Sequence, residues 1–241
     1  MIEDTNTLLL RRYVTAQRVW GRLWLKMHVQ QQRLRAQWVA QGPDILKRTL
    51  DIVASALLLV LLSPLLALIA LAIWVEDGGP VFFSQTRVGR YGRHFKMYKL
   101  RSMCLNAEER LQEVLAKNQH REGITFKLKD DPRITRVGKW LRKYSFDELP
   151  QLLNVLIGDM SFVGPRPPVP REVAKYRPAD RRRLAAKPGI TCIWQISGRS
   201  EIDFSGQVQL DVDYIQRQTL WMDLSILART VPAVLSGKGA C

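Results

Sequence analysis

Apolar and polar positions follow three different rhythms along this chain. From about Thr7 to Gln41, Leu9, Tyr13, Val19, Leu23 and Met27 recur near helical spacing among Arg18, Arg22, Lys26, Arg33 and Arg35. Trp20, Trp24 and Trp38 are interleaved. This pattern predicts one long basic helix, and its mix of tryptophan and positive charge suits a membrane surface. Packing on its own domain or on a second copy of the chain is the alternative. Gly42-Pro43-Asp44 predicts a break and a new helix start. The second rhythm is an apolar run from Ile52 to Val75 without one charge. Roughly 20 such residues suffice to cross a bilayer. Ser63-Pro64 interrupts the run, and an interior proline costs a helix about 3 kcal/mol. Ser63 is placed to satisfy a backbone group that the proline frees.

Basic residues flank the run on both sides: Lys47 and Arg48 before it, with Asp51 beside them, and Arg87, Arg90, Arg93 and Lys96 after it. Positive flanks favour the cytoplasmic side. If both obey that rule, the segment enters and leaves on one face, bending at Pro64. An ordinary spanning helix with a tolerated proline is the competing reading.

Beyond Glu76-Asp77-Gly78-Gly79-Pro80 the rhythm changes again. Val81 to Phe83 and Phe95 to Leu100 read as short strands, joined by a turn at Gly89 to Gly92. Leu105 to Asn118 reads as a charged amphipathic helix. Ile134 to Tyr144 and Asp147 to Leu156 read as helices with a corner at Ser145-Phe146, and Pro150 falls in a first turn where proline is tolerated. Gly158 to Pro170 reads as a loop. Helical patterns return at Arg171 to Tyr176, Ala179 to Ala186, Phe204 to Gln218 and Leu224 to Val231, the last ending ahead of Pro232. The fold expected is α+β and mainly helical. It divides into a basic amphipathic helix over residues 1–43, a re-entrant helix–break–helix anchor over 44–78, and a compact cytosolic domain over 79–241 with a small β-hairpin.

Composition narrows the partners. A formal net charge of +15 calls for a polyanion, whether nucleic acid, anionic lipid or a phosphorylated substrate. Nucleic acid fits poorly, because the tryptophans gather in the anchor region rather than along a basic groove where bases would stack. Cys104, Cys192 and Cys241 lack metal-ligand spacing and read as reduced thiols facing a cytosol. His28, His94 and His120 are equally dispersed. No Walker or Rossmann glycine loop is present.

The chemistry therefore falls to carboxylates and cations. Asp147 and Glu148 are adjacent acids after the basic run Arg133, Arg136, Lys139, Arg142 and Lys143. Successive helical residues point about 100° apart, so the two acids cannot act as a facing pair. One is free to attack or bind while the other takes a metal. Capping of a helix is the alternative role for Asp147. A carboxylate ringed by arginines stays ionised and is able to attack a phosphoryl group; Mg²⁺ is the expected helper, since it takes carboxylate and phosphate oxygens together. Most single arginines read as surface charges. Arg142 and Arg166 are the exceptions, because prolines hold the backbone around Arg166 in Gly164-Pro165-Arg166-Pro167-Pro168 and a guanidinium suits bidentate phosphate contact.

Several ordered motifs carry a resemblance. They are Lys47-Arg48-x-x-Asp51, the run with Ser63-Pro64, Pro80-Val81-Phe82-Phe83-x-Gln85-x-Arg87-x-Gly89, and Phe95 to Met103. Ser145-Phe146-Asp147-Glu148-Leu149-Pro150-Gln151-Leu152, Gly158 to Pro167, Lys187 to Thr191 and Trp194 to Arg199 complete them. From Ile45 onward the chain resembles the bacterial sugar transferases, monotopic phosphoglycosyl transferases that act on polyprenyl phosphate. The resemblance implies transfer of a sugar-1-phosphate from a UDP-sugar to undecaprenyl phosphate with release of UMP. It places that reaction at the cytoplasmic face of the bacterial inner membrane, as the first membrane step of surface polysaccharide or glycoconjugate synthesis. It implies Asp147 as nucleophile, Glu148 completing the dyad, and Mg²⁺ bound at Asp147 and Glu148. It further implies phosphate contacts from Arg142, Arg166 and Lys99, and substrate contacts from Asp211, Gln195 and Arg199. Phospholipid is the expected partner of the anchor, and of Trp221, Leu224, Leu227 and Leu235 near the C-terminus, for which core packing is the alternative. A homodimer through the N-terminal helix is conceivable.

Overall fold

The computed structural model describes residues 19–107, 109–110, 131–198 and 202–236. Most of the helix expected over Leu105 to Asn118 lies outside them, as do Met1 to Arg18 and Arg199. The chain divides into two compact units, Met1–Lys47 and Arg48–Cys241.

Helix α1 (Val19–Asp77) is 59 residues long. The break expected at Gly42-Pro43-Asp44 is absent, and the backbone is helical through it. Ser63-Pro64 does not interrupt helical backbone either. Proline at position 64 removes the N–H that would bond the carbonyl of Val60, and the Ser63 hydroxyl donates to that same carbonyl at 2.8 Å. The serine thus replaces the lost bond, as its position suggested. Asp44–Asp77 is long and apolar enough to cross a membrane. Its burial against the rest of the second unit is concentrated at two places: Asp51 and Ser55 near the start, Ile69 and Ile73 near the end. Leu57, Val60 and Leu61 between them are exposed.

Strands β1 (Phe82–Val88) and β2 (His94–Leu100) form an antiparallel hairpin, with β1 longer than the apolar triplet predicted. A 3₁₀ turn at Arg90–Gly92 joins them, with Tyr91 and Gly92 at positive φ. Side chains alternate across a strand, and directly paired residues share a face. The pairs Arg87↔Phe95, Gln85↔Met97 and Phe83↔Lys99 therefore project on one side of the hairpin. Phe95 and Met97 are buried there with Val155 and Met160.

Helix α2 (Arg136–Lys143) is capped by the Thr135 hydroxyl, which accepts from Gly138 N. The next helix, α3 (Gln151–Ile157), packs on β2 through one side chain. Asn154 is fully buried, donates from Nδ2 to the Lys96 carbonyl at 2.7 Å and accepts from Tyr98 N at 3.0 Å. Its amide thereby closes the outer edge of β2 as a neighbouring strand would. Helix α3 ends at Gly158 in the left-handed region, and Arg48 donates to its last carbonyls, Val155 O and Leu156 O, at 2.6 and 2.8 Å. A guanidinium satisfies orphan C-terminal carbonyls and complements the helix dipole. Asp51 Oδ1 accepts from Phe162 N nearby.

The stretch read as a loop from Gly158 to Pro170 holds a strand, β3 (Ser161–Val163), parallel to β4 (Gly189–Thr191). Strands of three residues carry too little alternation to announce themselves. Gly164 and Gly189 approach so closely that a Cβ on either would fall within about 2.3 Å of backbone. Short helix α4 (Pro170–Val173), a 3₁₀ segment at Asp180–Ala185 and α5 (Ile193–Ser197) follow. Helices α6 (Phe204–Arg217) and α7 (Leu220–Ser236) close the domain. Helix α7 continues through Pro232 rather than stopping before it. Leu227 packs against the core of Val163, Tyr214 and Ile226, whereas Trp221, Leu224 and Leu235 are exposed.

Candidate active site

Ser145 takes a left-handed conformation, φ 56°, which turns the chain sharply after α2. Non-glycine residues seldom occupy that region. The turn places Phe146–Glu148 in one 3₁₀ turn ahead of α3 rather than in the α-helix expected there. Pro150, not Asp147, stands at the N-cap of α3, so capping of that helix is not the role of Asp147.

The acids differ in their partners. Lys99, on the inner face of β2, brings its Nζ to 2.8 Å from Glu148 Oε1 and 3.8 Å from Asp147 Oδ2. Arg166 Nη1 lies 3.6 Å from the same Glu148 oxygen. Burial alone would push the Glu148 carboxyl up, but Lys99 and Arg166 outweigh it and bring it down to about 2. At Asp147, only 7% exposed, burial wins and raises the carboxyl, with Lys99 the largest opposing charge. Glu148 thus anchors the cations, and Asp147 stands beside them less tightly held.

Arg142 reaches the dyad from α2, and its Nε donates to Ser102 Oγ at 2.9 Å. Burial lowers its pKa, and Asp147 is the charge that most opposes this. Gly138 lets α2 sit against Ser102, whose carbonyl would be 2.0 Å from a Cβ. Arg87, Arg166, Glu148, Gln151, Met97, Pro167, Gly189 and Ile190 line a small, partly open cleft.

The fold brings Asp147, Glu148, Lys99, Arg142 and Arg166 together. It does not bring Asp211 to them. Asp211 is 1% exposed, with its Oδ2 2.5 Å from Arg183 Nη2, and burial raises its pKa to about 6. Arg183 lies 5.9 Å from the Tyr176 and Phe204 ring centroids. Gln195 is partly buried and accepts from Cys192 Sγ at 3.1 Å. Neither residue lines the cleft. Lys47 belongs to the first unit, while Arg48 and Asp51 brace α3 and β3 as described above.

Surface charge proves the wrong reading for three basic residues. Arg101 is buried against Asp77, Arg133 is buried with its guanidinium on Asp131, and Arg87 lines the cleft. The two-residue period Phe83, Gln85, Arg87 was the signal for the last, since it sets Arg87 on the face of Lys99. Among the described residues no group of three or more His, Cys, Asp or Glu side chains converges. Two carboxylates sharing one ammonium still match the donor set of Mg²⁺, which takes one or two carboxylates and completes its shell with phosphate and water.

Comparison with known proteins identifies the family. The profile of the bacterial sugar transferase family matches residues 43–237. The chain is 51% identical over 197 residues to the galactosyl transferase CpsE of Streptococcus agalactiae, covering 81% of this chain and 43% of that protein. It is 45% identical over 214 residues to the undecaprenyl-phosphate galactose phosphotransferase of Salmonella typhimurium, covering 86% of this chain and 44% of that protein. It is 43% identical over 199 residues to the exopolysaccharide production protein ExoY of Sinorhizobium fredii, covering 81% and 88%. The chain thus spans less than half the length of the first two relatives.

Proposed function

This chain belongs to the bacterial sugar transferase family, and from that premise we propose that it transfers a sugar-1-phosphate from a UDP-sugar to undecaprenyl phosphate, releasing UMP. The observation that carries the reading is the unequal dyad. Glu148 holds Lys99 and Arg166, which leaves buried Asp147 beside them as the nucleophile. An Asp147 oxygen attacks the sugar-bearing phosphorus, the bond to the UMP oxygen breaks, and UMP leaves with that electron pair. The phosphate oxygen of the lipid then attacks the acyl phosphate, and the carboxylate of Asp147 is regenerated. One carboxylate serves both substrates in turn, so the kinetics are ping-pong. Lys99, Arg142 and Arg166 stabilise charge on the donor's phosphates. Asp147 and Glu148 would hold Mg²⁺, which when bound neutralises phosphate charge.

The acceptor is a lipid, and α1 supplies the attachment. We read Asp44–Asp77 as re-entrant, bent at Ser63-Pro64, with Lys47 and Arg48 at the headgroups and the catalytic unit on the cytoplasmic face of the inner membrane. Two features support this. The segment touches the catalytic unit at both ends and is bare between them. A straight helix from Arg48 to Asp77 would hold those ends about 44 Å apart. Exposed Trp221, Leu224 and Leu235 on α7 suit a second contact with the bilayer.

The test is UMP release by the purified protein with Mg²⁺, undecaprenyl phosphate and a panel of UDP-sugars. Donor labelled in the sugar should leave label on Asp147 when the lipid is withheld. An Asp147→Asn variant that folds and retains full turnover would sink the nucleophile assignment. Single cysteines near residues 42 and 79 should both react from the cytoplasmic side; a periplasmic site at either would make α1 a spanning helix.

A further inference from the structure

Two guanidiniums of like charge line one small cleft. Arg87 projects from the same hairpin face as Met97 and Lys99. Its Nη1 donates to Pro167 O at 2.9 Å, and the next residue donates from Val88 N to Pro168 O. Arg87 is therefore tied to the proline-fixed segment that carries Arg166. Burial, and then the repulsion of Arg166, lower the Arg87 guanidinium to about 10. Its Nε–H is buried and has no acceptor among the described residues. A buried donor left without a partner asks for one that arrives later. Glu148 is the carboxylate lining this cleft, and Lys99 and Arg166 already engage it.

Two of the guanidiniums near the dyad differ in the acids that act on them. After burial, Asp147 acts most strongly on Arg142. Arg87 feels Glu172 and Glu148. Lys99 and Arg166 act on both acids, so Arg142 and Arg87 are the two guanidiniums that differ, the first bearing on Asp147 and the second lining the cleft with Glu148.

We propose that Arg87 and Arg166 form a fork for the phosphate on the leaving side, the monophosphate of the departing nucleotide, while Arg142 and Lys99 serve the phosphoryl group that moves to Asp147. Paired guanidinium N–H groups match two phosphate oxygens at once. No bond forms or breaks in the fork; it orients the donor and holds the product. The assignment deepens the nucleotide-sugar reading and rests on it.

Calorimetric titration of the full chain in detergent tests it, with UMP and inorganic pyrophosphate as probes. Arg87→Met should weaken UMP binding by about tenfold or more, and Arg87→Lys, which keeps the charge but loses the fork, by less. Arg142→Met should change UMP affinity by less than about threefold. Wild-type UMP affinity in folded Arg87→Met overturns the fork, as does an equal loss in Arg142→Met. If Arg87→Met does not fold, Arg87→Lys decides, and unchanged UMP affinity in it overturns the fork. Pyrophosphate binding that needs Arg87, without UMP binding, keeps the fork and removes the nucleotide reading. A wild-type protein that binds neither probe removes both.

Discussion

Replacing Lys99 by methionine isolates the charge that, in the proposed mechanism, prepares Asp147 for attack. The ammonium lies 3.8 Å from Asp147 Oδ2, and both side chains are mostly buried. At an effective dielectric constant of about 20, two unit charges at that distance attract by about 4 kcal/mol. That is roughly three factors of ten in the ionisation of Asp147, less whatever water entering the vacated space restores. Burial already raises this carboxyl, and Lys99 is the largest opposing charge. In the proposed mechanism only the ionised form attacks, so the rate of the first half-reaction should rise with pH through the Asp147 titration and then level. Without Lys99 that limb moves to higher pH. Below the limb, Lys99→Met should release UMP about 10- to 1000-fold more slowly than wild type in single-turnover mixing, and the deficit should shrink as pH rises. Lys99→Arg keeps the charge and should keep the limb near its wild-type position. If the acid limb of Lys99→Met coincides with that of wild type and only the plateau falls, Lys99 acts on the donor phosphates alone. Asp147 then does not depend on Lys99 for its ionisation.

Two substitutions test how the scaffold holds that geometry. Asn154→Leu keeps the approximate shape of the side chain but strands Tyr98 N–H and Lys96 C=O at the edge of β2. At about 1–3 kcal/mol for each buried orphan, the thermal midpoint in detergent should fall by roughly 5–15 °C, with turnover falling alongside because Lys99 is the next residue on that strand. Gly138→Ala places a methyl 2.0 Å from the Ser102 carbonyl. The expected cost is about 1–3 kcal/mol, together with a larger loss of kcat than of donor binding, since Ser102 positions the Arg142 guanidinium. An alanine variant with wild-type stability would show that α2 and Ser102 are not in this contact.

Legibility in the sequence followed element length and chemical type. Helices α2 and α6 were readable because their periods persist for seven or more residues, and the hairpin because apolar runs flank a glycine-bearing turn, although only the start of β1 was legible. Asp147, Glu148, Arg142 and Arg166 stood out because adjacent acids after a basic run and a guanidinium held between prolines differ in kind from a solvated coat, and the fold brings the four together. Strands β3 and β4 were not readable. Each is three residues long, and what pairs them is the close approach of Gly164 and Gly189 across 25 positions of chain. The same limit hid the anchor's support. Gly42-Pro43 and Ser63-Pro64 both carry the local signals of a helix stop, yet α1 runs through both. At the second, the Ser63 hydroxyl replaces the hydrogen bond that Pro64 removes, so the local rule is met by a local exception. The buried charges failed for a different reason. Nothing around Arg101 or Arg133 names Asp77 or Asp131 as a partner rather than water. Arg87 joins them, but with a consequence for function: its strand parity with Lys99 was present in the sequence, and it became informative only once Asn154 had fixed which face of the hairpin turns toward the dyad.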